Sequence, residues 1–221
     1  MNYFVTGTDT GVGKTLVACA LLHGFAARGK LAAGMKPVAA GVDADGRNED
    51  VRMLLAASNV AADDGLVNPY CFAQAIAPHI AARTTGGYIE FERIAEAYRK
   101  LAALAEVVVV EGAGGLLVPL NQRQDGADLV AELELAVVMV VGMRLGCLNH
   151  ALLTVEAIES RGLRLAGWVA NILDGDMRAL QDNIEALRER ISVPLLGVVP
   201  YLAPADARVA SGYLRLERLR S

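Results

Sequence analysis

The chain has 221 residues, 54% of them apolar but only 5% aromatic, with 22 glycines; this suits one α/β domain whose small aliphatic strands lie under alanine- and leucine-rich helices. A formal charge of −4 without any lysine- or arginine-rich block argues against a nucleic-acid binder. Cys19, Cys71 and Cys147 fit neither a disulfide framework nor a zinc site, no basic signal region opens the chain, and the apolar runs fall well short of the roughly 18 residues of a membrane helix, so a cytoplasmic protein without a membrane partner is expected.

The first strand-like run, Tyr3–Thr6, leads into Gly7-Thr8-Asp9-Thr10-Gly11-Val12-Gly13-Lys14-Thr15. Leu16, Val17, Ala20, Leu21 and Phe25 then follow at helical spacing. A strand, a glycine-bearing turn and a helix start point successive N–H groups inward, where they cradle phosphate oxygens. Lys14 would reach the β- and γ-phosphates and the Thr15 hydroxyl would sit on a magnesium ion. The spacing departs from the usual P-loop, because Thr8 holds the first glycine's position and Gly7 lies one residue earlier. A bare turn would need its glycines only for positive φ. It would have no use for a lysine at the positive end of a helix dipole, which calls for an anion.

Leu31–Pro37 is the second run, and Lys36 at its end faces the same rim as Lys14. It could stabilise transferred phosphoryl oxygens or an anionic second substrate; by itself it could equally be a surface lysine. Gly41 to Asn48 is a polar loop of the kind that folds over a substrate. Asp50 opens a helix marked by Val51, Leu54 and Leu55, and capping that helix is its simplest role. Ile94, Tyr98 and Leu101 mark another helix. The third run, Glu106–Glu111, is the most hydrophobic and ends in a carboxylate that nucleotide-bound magnesium would compensate. Gly112, Gly114 and Gly115 then allow close backbone approach to a ligand.

The fourth run, Ala136–Val141, precedes Gly146 to His150, which opens a helix marked by Leu148, Leu152 and Val155; its free N–H groups suit a carboxylate. Arg164–Asn171 ends in an asparagine that could read a base edge or close a turn. Met177, Leu180, Ile184, Leu187 and Ile191 step as one helix before the last run, Leu195–Pro200. His23 and His79 read as structural. Strands alternating with helices predict a single domain over 1–221, with a doubly wound, mainly parallel sheet and helices on both faces. Ligands then bind outside the carboxyl ends of the strands, where these polar and glycine-rich residues cluster.

The set of residues resembles the dethiobiotin synthetases over nearly the whole length. The resemblance rests on Tyr3 to Thr10, Val12 to Thr15, Lys36 to Ala39, Val67 to Tyr70, Pro78 to Ile80, Val110 to Gly115, Leu145 to Cys147, Asn149-His150 and Gly167 to Asn171. It implies an ATP-dependent ring closure in biotin biosynthesis, with magnesium, of 7,8-diaminononanoate and CO2 to dethiobiotin, ADP and phosphate. By the same resemblance Lys14 and Lys36 bracket the transferring phosphoryl group, and Lys36 also holds the carbamate. Thr15, Asp50 and Glu111 support magnesium, while Gly11, Val12, Gly13 and Leu16 belong to the phosphate loop. Gly112, Ala113 and Gly114 belong to the nucleotide side; Asn171 reads the adenine, and Pro200, Tyr201 and Leu202 line the base pocket.

Cys147, Leu148 and Asn149 would receive the substrate carboxylate at a homodimer interface, and Ala40 would lie beside the substrate. Ala40 stands where the family commonly has a hydroxyl, Asn183 where some relatives have tyrosine, and the region of Ala207 where some offer the ribose a glutamate.

The competing reading is a ParA- or MinD-like dimeric switch ATPase acting on a protein or membrane partner. Those carry a signature lysine five residues before the P-loop lysine, and Asp9 holds that position here. The basic, leucine-bearing tail Tyr213 to Arg220 is short for a membrane-binding helix. An amidoligase of cobyrinic-acid type would need a glutamine-amidotransferase domain for which the chain has no room.

Overall fold

The computed structural model describes residues 1–219; Arg220, the end of the leucine-bearing tail, and Ser221 lie outside the described residues. In chain order the elements are β1 (Asn2–Gly7), α1 (Lys14–Ala26), β2 (Ala32–Met35), β3 (Val38–Ala40), α2 (Glu49–Ala57), α3 (Asp64–Val67), β4 (Tyr70–Phe72), α4 (Pro78–Thr84) and α5 (Phe91–Ala102). Then come β5 (Val107–Gly115), α6 (Gly126–Glu132), β6 (Ala136–Met143), α7 (Cys147–Ser160), β7 (Leu165–Ile172), α8 (Leu180–Arg190), β8 (Leu195–Val199) and α9 (Ala207–Ser211), with a 3-10 turn at Leu216–Arg218.

Six strands form one sheet in the order β2-β5-β1-β6-β7-β8, and every pairing in it is parallel. The side chains alternate across it. Tyr3, Val5, Val107, Val109, Val138 and Val140 pack with Val17 and Leu21 of α1, Leu54 of α2 and Ala210 of α9. Phe4, Val108, Val110, Met139 and Trp168 pack on the other face with Ile94 and Leu101 of α5, Leu129 of α6, Val155 of α7 and Ile184 of α8. Burial on both faces explains why the strands read as unbroken apolar runs. Each large side chain so buried contributes about 1.5–3 kcal/mol. Among the described residues no helix is long and apolar enough to cross a membrane.

Three expectations change in detail. The second run stops at Met35, because Pro37 cannot extend the ladder; the chain turns and forms β3, which pairs with β4 in a separate two-stranded parallel sheet. Strands of three residues leave too short a pattern to read. Met177 falls before α8, in a turn where its side chain still packs on the core. The third run continues through Gly115, and Gly7 pairs with Gly115 after a register shift. Gly112 and Gly114 therefore belong to the strand. A Cβ at Gly112 would lie 2.8 Å from the Phe4 ring, and one at Gly114 would lie 2.9 Å from Val118. Close packing within the chain requires these two glycines, whatever ligand approaches them.

Candidate active site

All six parallel strands end on one rim, and one cleft there collects Thr10, Gly11, Gly13, Lys14, Thr15, Lys36, Val38, Ala40, Asp50, Glu111, Ala113 and Gly114. The loop between β1 and α1 is shaped by Gly13, which caps α1 at φ 91° and ψ 29°. This left-handed conformation suits glycine. A Cβ there would also meet Asn171 Nδ2 at 2.1 Å. Asn171, buried at the end of β7, donates from Nδ2 to the Val12 carbonyl at 2.9 Å. The last turn of β7 thus braces the loop from beneath.

Lys14 and Lys36 are both buried on this rim. Lys14 Nζ donates to the Asp9 carbonyl at 3.0 Å. Burial lowers its pKa, as does the Lys36 cation, against the carboxylates of Glu111, Asp50 and Asp9. Lys36 Nζ donates to Glu111 Oε1 at 2.6 Å and to the Gly112 carbonyl at 3.3 Å, and pairs with Asp50 Oδ2 at 2.8 Å. Thr15 Oγ1 lies 2.7 Å from Asp50 Oδ1 and 2.9 Å from Glu111 Oε1. Elements far apart in the chain, α1, the end of β2, α2 and β5, thereby bring four side chains to one point.

Burial works against the Lys36 ammonium, but Glu111 and Asp50 together outweigh it and its pKa is raised. Burial likewise opposes the Asp50 carboxylate, and Lys36, Thr15 and Lys14 more than offset that, holding it below the usual range. Burial pushes the Glu111 carboxyl up; Lys36 pulls it back and Asp50 pushes it further. Lys36 gains from two carboxylates, whereas Glu111, 1% exposed, shares one cation and faces a like charge. The cost of burial therefore falls on Glu111.

Glu111 Oε2 is buried without a hydrogen-bond partner among the described residues. Such an atom calls for a partner. Thr15, Asp50 and Glu111 offer hard oxygen donors only, which suits magnesium; that ion takes one or two carboxylates and completes its shell with phosphate oxygens and water. Among the described residues no group of three or more His, Cys, Asp and Glu forms a protein-only metal cage.

Asp50 is not the helix cap. Asn48 caps α2, its Oδ1 accepting from the Val51 N–H at 3.2 Å while its Nδ2 donates to the Gly41 carbonyl at 2.7 Å. That leaves Asp50, in the first turn, to face the cleft. An asparagine just before an acidic first turn carried this signal in the sequence. Asn68, part of the Val67 to Tyr70 stretch but given no role by the sequence, donates from Nδ2 to the carbonyls of Lys36 and Tyr70.

Several expected residues stand apart from this cleft. Cys147 is buried at the start of α7, Leu148 packs on the core, and Asn149 is exposed. Leu16 and Leu202 pack against the core on the α1 face, while Pro200 is half-buried and Tyr201 exposed at the end of β8. Asn183 Nδ2 donates to the Ala179 carbonyl of its own helix at 2.8 Å. Asp206 caps α9, which begins at Ala207. His79 Nδ1 lies 3.2 Å from the Pro119 carbonyl.

A parallel, doubly wound sheet with a lysine-bearing glycine loop between its first strand and helix defines a P-loop NTPase fold. Solved structures agree on that fold: a MinC:MinD cell division protein complex from Aquifex aeolicus, with a TM-score of 0.57 at 15% identity over 96% of this chain and 86% of that one. A ParA family ATPase from Chlorobium tepidum gives 0.57 at 15% identity over 97% and 90%. A family model described as an AAA domain matches residues 1–208. Among curated proteins, the ATP-dependent dethiobiotin synthetase of Nitrosospira multiformis is 54% identical over 99% of this chain and 96% of its own length. That of Aromatoleum aromaticum is 55% identical over 97% and 96%. The chain belongs to the dethiobiotin synthetase family.

Proposed function

We propose that the chain closes the urea ring of dethiobiotin from 7,8-diaminononanoate, CO2 and ATP. Full-length identity of 54% to a protein named for that ATP-dependent synthesis supports this reading over a switch ATPase, since the MinD and ParA likenesses extend to the fold alone. The observation that carries the mechanism is Lys36, a buried cation beside the phosphate loop, with its ammonium turned toward Thr15, Asp50 and Glu111. One amine of the diamine adds to CO2, losing a proton, and the resulting carbamate anion lies against Lys36. A carbamate oxygen then attacks the γ-phosphorus and the bond to the ADP oxygen breaks. The second amine attacks the mixed anhydride, phosphate leaves with the C–O bonding pair, and the amine proton is lost to solvent.

Every species formed before closure is anionic, so fixed positive charge is what the site must supply. Lys14 and the loop N–H groups from Gly11 to Thr15 hold the phosphates in this reading. Magnesium, held by Thr15, Asp50 and Glu111, would neutralise charge developing on the β- and γ-phosphate oxygens. Asn171, with Pro200 to Leu202, faces the base, and Ala40 lies on the diamine side. Because the start of α7 lies away from the cleft, the helix N-terminus at Cys147, Leu148 and Asn149 is assigned to the partner copy's substrate in a homodimer. Three free thiols support a reducing, cytoplasmic setting.

The experiment is incubation with diaminononanoate, bicarbonate and Mg-ATP, followed by mass analysis for dethiobiotin with one ADP formed per ring closed. ATP hydrolysis without that product, stimulated by a protein or lipid surface, would replace this reading with the switch.

A further inference from the structure

We infer that Asn68 is a positioning residue for ring closure, acting through the backbone of Lys36; the inference rests on the role of Lys36 proposed above. Lys36 sits where the sheet gives no support, between the end of β2 and the start of β3. Pro37 follows it and has no N–H to anchor the turn. Two contacts from one short segment fix it instead. The Lys36 N–H donates to the Val67 carbonyl at 2.8 Å, and the Lys36 carbonyl accepts from Asn68 Nδ2 at 2.6 Å.

Asn68 Nδ2 also donates to the Tyr70 carbonyl at 2.9 Å, so both amide hydrogens are used. The Tyr70 N–H in turn donates to the Pro37 carbonyl at 3.1 Å, closing a ring of contacts around Lys36-Pro37. Asn68 itself is held at the end of α3, its own N–H donating to the Asp64 carbonyl. The side chain neither lines the cleft nor touches Glu111, Asp50 or Thr15. Its one effect on the chemistry is to set where the Lys36 side chain begins.

This matters because Lys36 Nζ meets three acceptors at once, on Glu111, Asp50 and Gly112. A shift of the Cα of about 1 Å would be enough to cost on the order of 10²-fold in rate by misplacing the reacting groups. Only an amide of this length offers two parallel donors to two carbonyls. Aspartate has the same shape but would present acceptors to both carbonyls, so it should be at least as damaging as alanine.

Asn68→Ala and Asn68→Asp are compared with Tyr70→Phe, which removes the hydroxyl that accepts from the Glu90 N–H and so perturbs the same segment without touching Lys36. In each variant kcat for dethiobiotin, KM for the diamine, Kd for Mg-ATP and Tm are measured. Both Asn68 variants should lose 10- to 100-fold in kcat with the Mg-ATP Kd within twofold of the parent, and Asn68→Asp should be no better than Asn68→Ala. Tyr70→Phe should lower Tm at near-parental kcat. Parental kcat in the Asn68 variants would overturn the inference, as would a Tyr70→Phe loss as large as theirs or a parallel loss of Mg-ATP binding. If Asn68→Ala and Asn68→Asp fail to fold, the milder Asn68→Ser, keeping one donor, should show kcat at least threefold below the parent with the Mg-ATP Kd within twofold, and a parental kcat in it would overturn the inference. A parent enzyme that makes no dethiobiotin would instead sink the proposed function and is seen before any variant is made.

Discussion

Lys36 pairs with two carboxylates in the resting site, so its loss has two separate effects, on turnover and on stability. Lys36→Ala should reduce ring closure by at least about 10²-fold, since it removes a charge aimed at an anionic intermediate, while Mg-ATP still binds through Lys14 and the loop. It also leaves Glu111 buried without a counter-ion, an arrangement that typically costs about 3–5 kcal/mol. Tm should therefore fall in metal-free buffer and recover in part with Mg-ATP; a variant with parental turnover would remove Lys36 from the mechanism. A second test concerns Asp9. Its Oδ1 accepts from the Thr10 N–H at 2.7 Å and its Oδ2 from Arg144. The Thr10 bond, joined by the Arg144 charge and hydrogen bond, holds its pKa down against burial. A depressed carboxylate stabilises the fold above its unfolded pKa, and that contribution is lost as pH falls through the folded value. The urea midpoint of the parent should thus fall toward that of Asp9→Asn as pH drops below about 4, with the gap widest near neutrality. A gap constant with pH would mean that Asp9 stabilises the loop by its shape alone. Lys14, Thr15, Lys36 and Glu111 were legible because strand ends mark the ligand rim of a parallel sheet. Asp50 was legible only through the family resemblance, because taken by itself it looks like a helix cap, while Asn48 two residues earlier takes that bond. Asn68 stood out within Val67 to Tyr70, but its role was illegible, since its partners are carbonyls that no sequence pattern displays.

The loop between β1 and α1 depends on β7 as much as on its own glycines. Gly13 needs a positive φ and leaves no room for a Cβ beside Asn171. Gly13→Ala should cost at least about 1–3 kcal/mol from backbone strain, with a further loss from the clash. Thermal unfolding should show Gly13→Ala/Asn171→Ala recovering part of the deficit, because the second change removes the clash and leaves the strain. A double variant no more stable than the single one would mean that relief of the clash does not outweigh loss of the Asn171–Val12 bond. The strands of the six-stranded sheet were legible from apolar runs because most of their residues are buried on both faces. The pair β3 and β4 was not, as three residues cannot display a period. The glycines after Glu111 were visible, but their reason was not: the Phe4 ring that crowds Gly112 comes from β1, far away in the chain.

A core lies on each face of the sheet, yet the rim near α7 leaves Leu117, Leu145 and Leu153 exposed. Leu117 and Leu153 line one groove with Thr8, Asp9 and His150, beside the phosphate loop. If the homodimer proposed above uses this rim, a second copy would cover this surface. Leu153→Glu should then give monomers by sedimentation and lower dethiobiotin formation at least tenfold, with Mg-ATP affinity close to parental. An unchanged sedimentation coefficient would move the dimer contact elsewhere. The parallel sheet has one more consequence. Since every strand runs the same way, the turns at the opposite rim, such as those after Ala102 and after Ser160, lie at the amino ends of the strands and supply nothing to the cleft. A side chain built on Gly162 there would meet nothing within 4 Å, although its φ of 65° favours glycine, so an attachment belongs on the exposed residues beside it. That blind side is a natural handle: a fluorophore, an immobilising linkage or a spliced peptide tag can be carried on it while the working rim stays facing the solution.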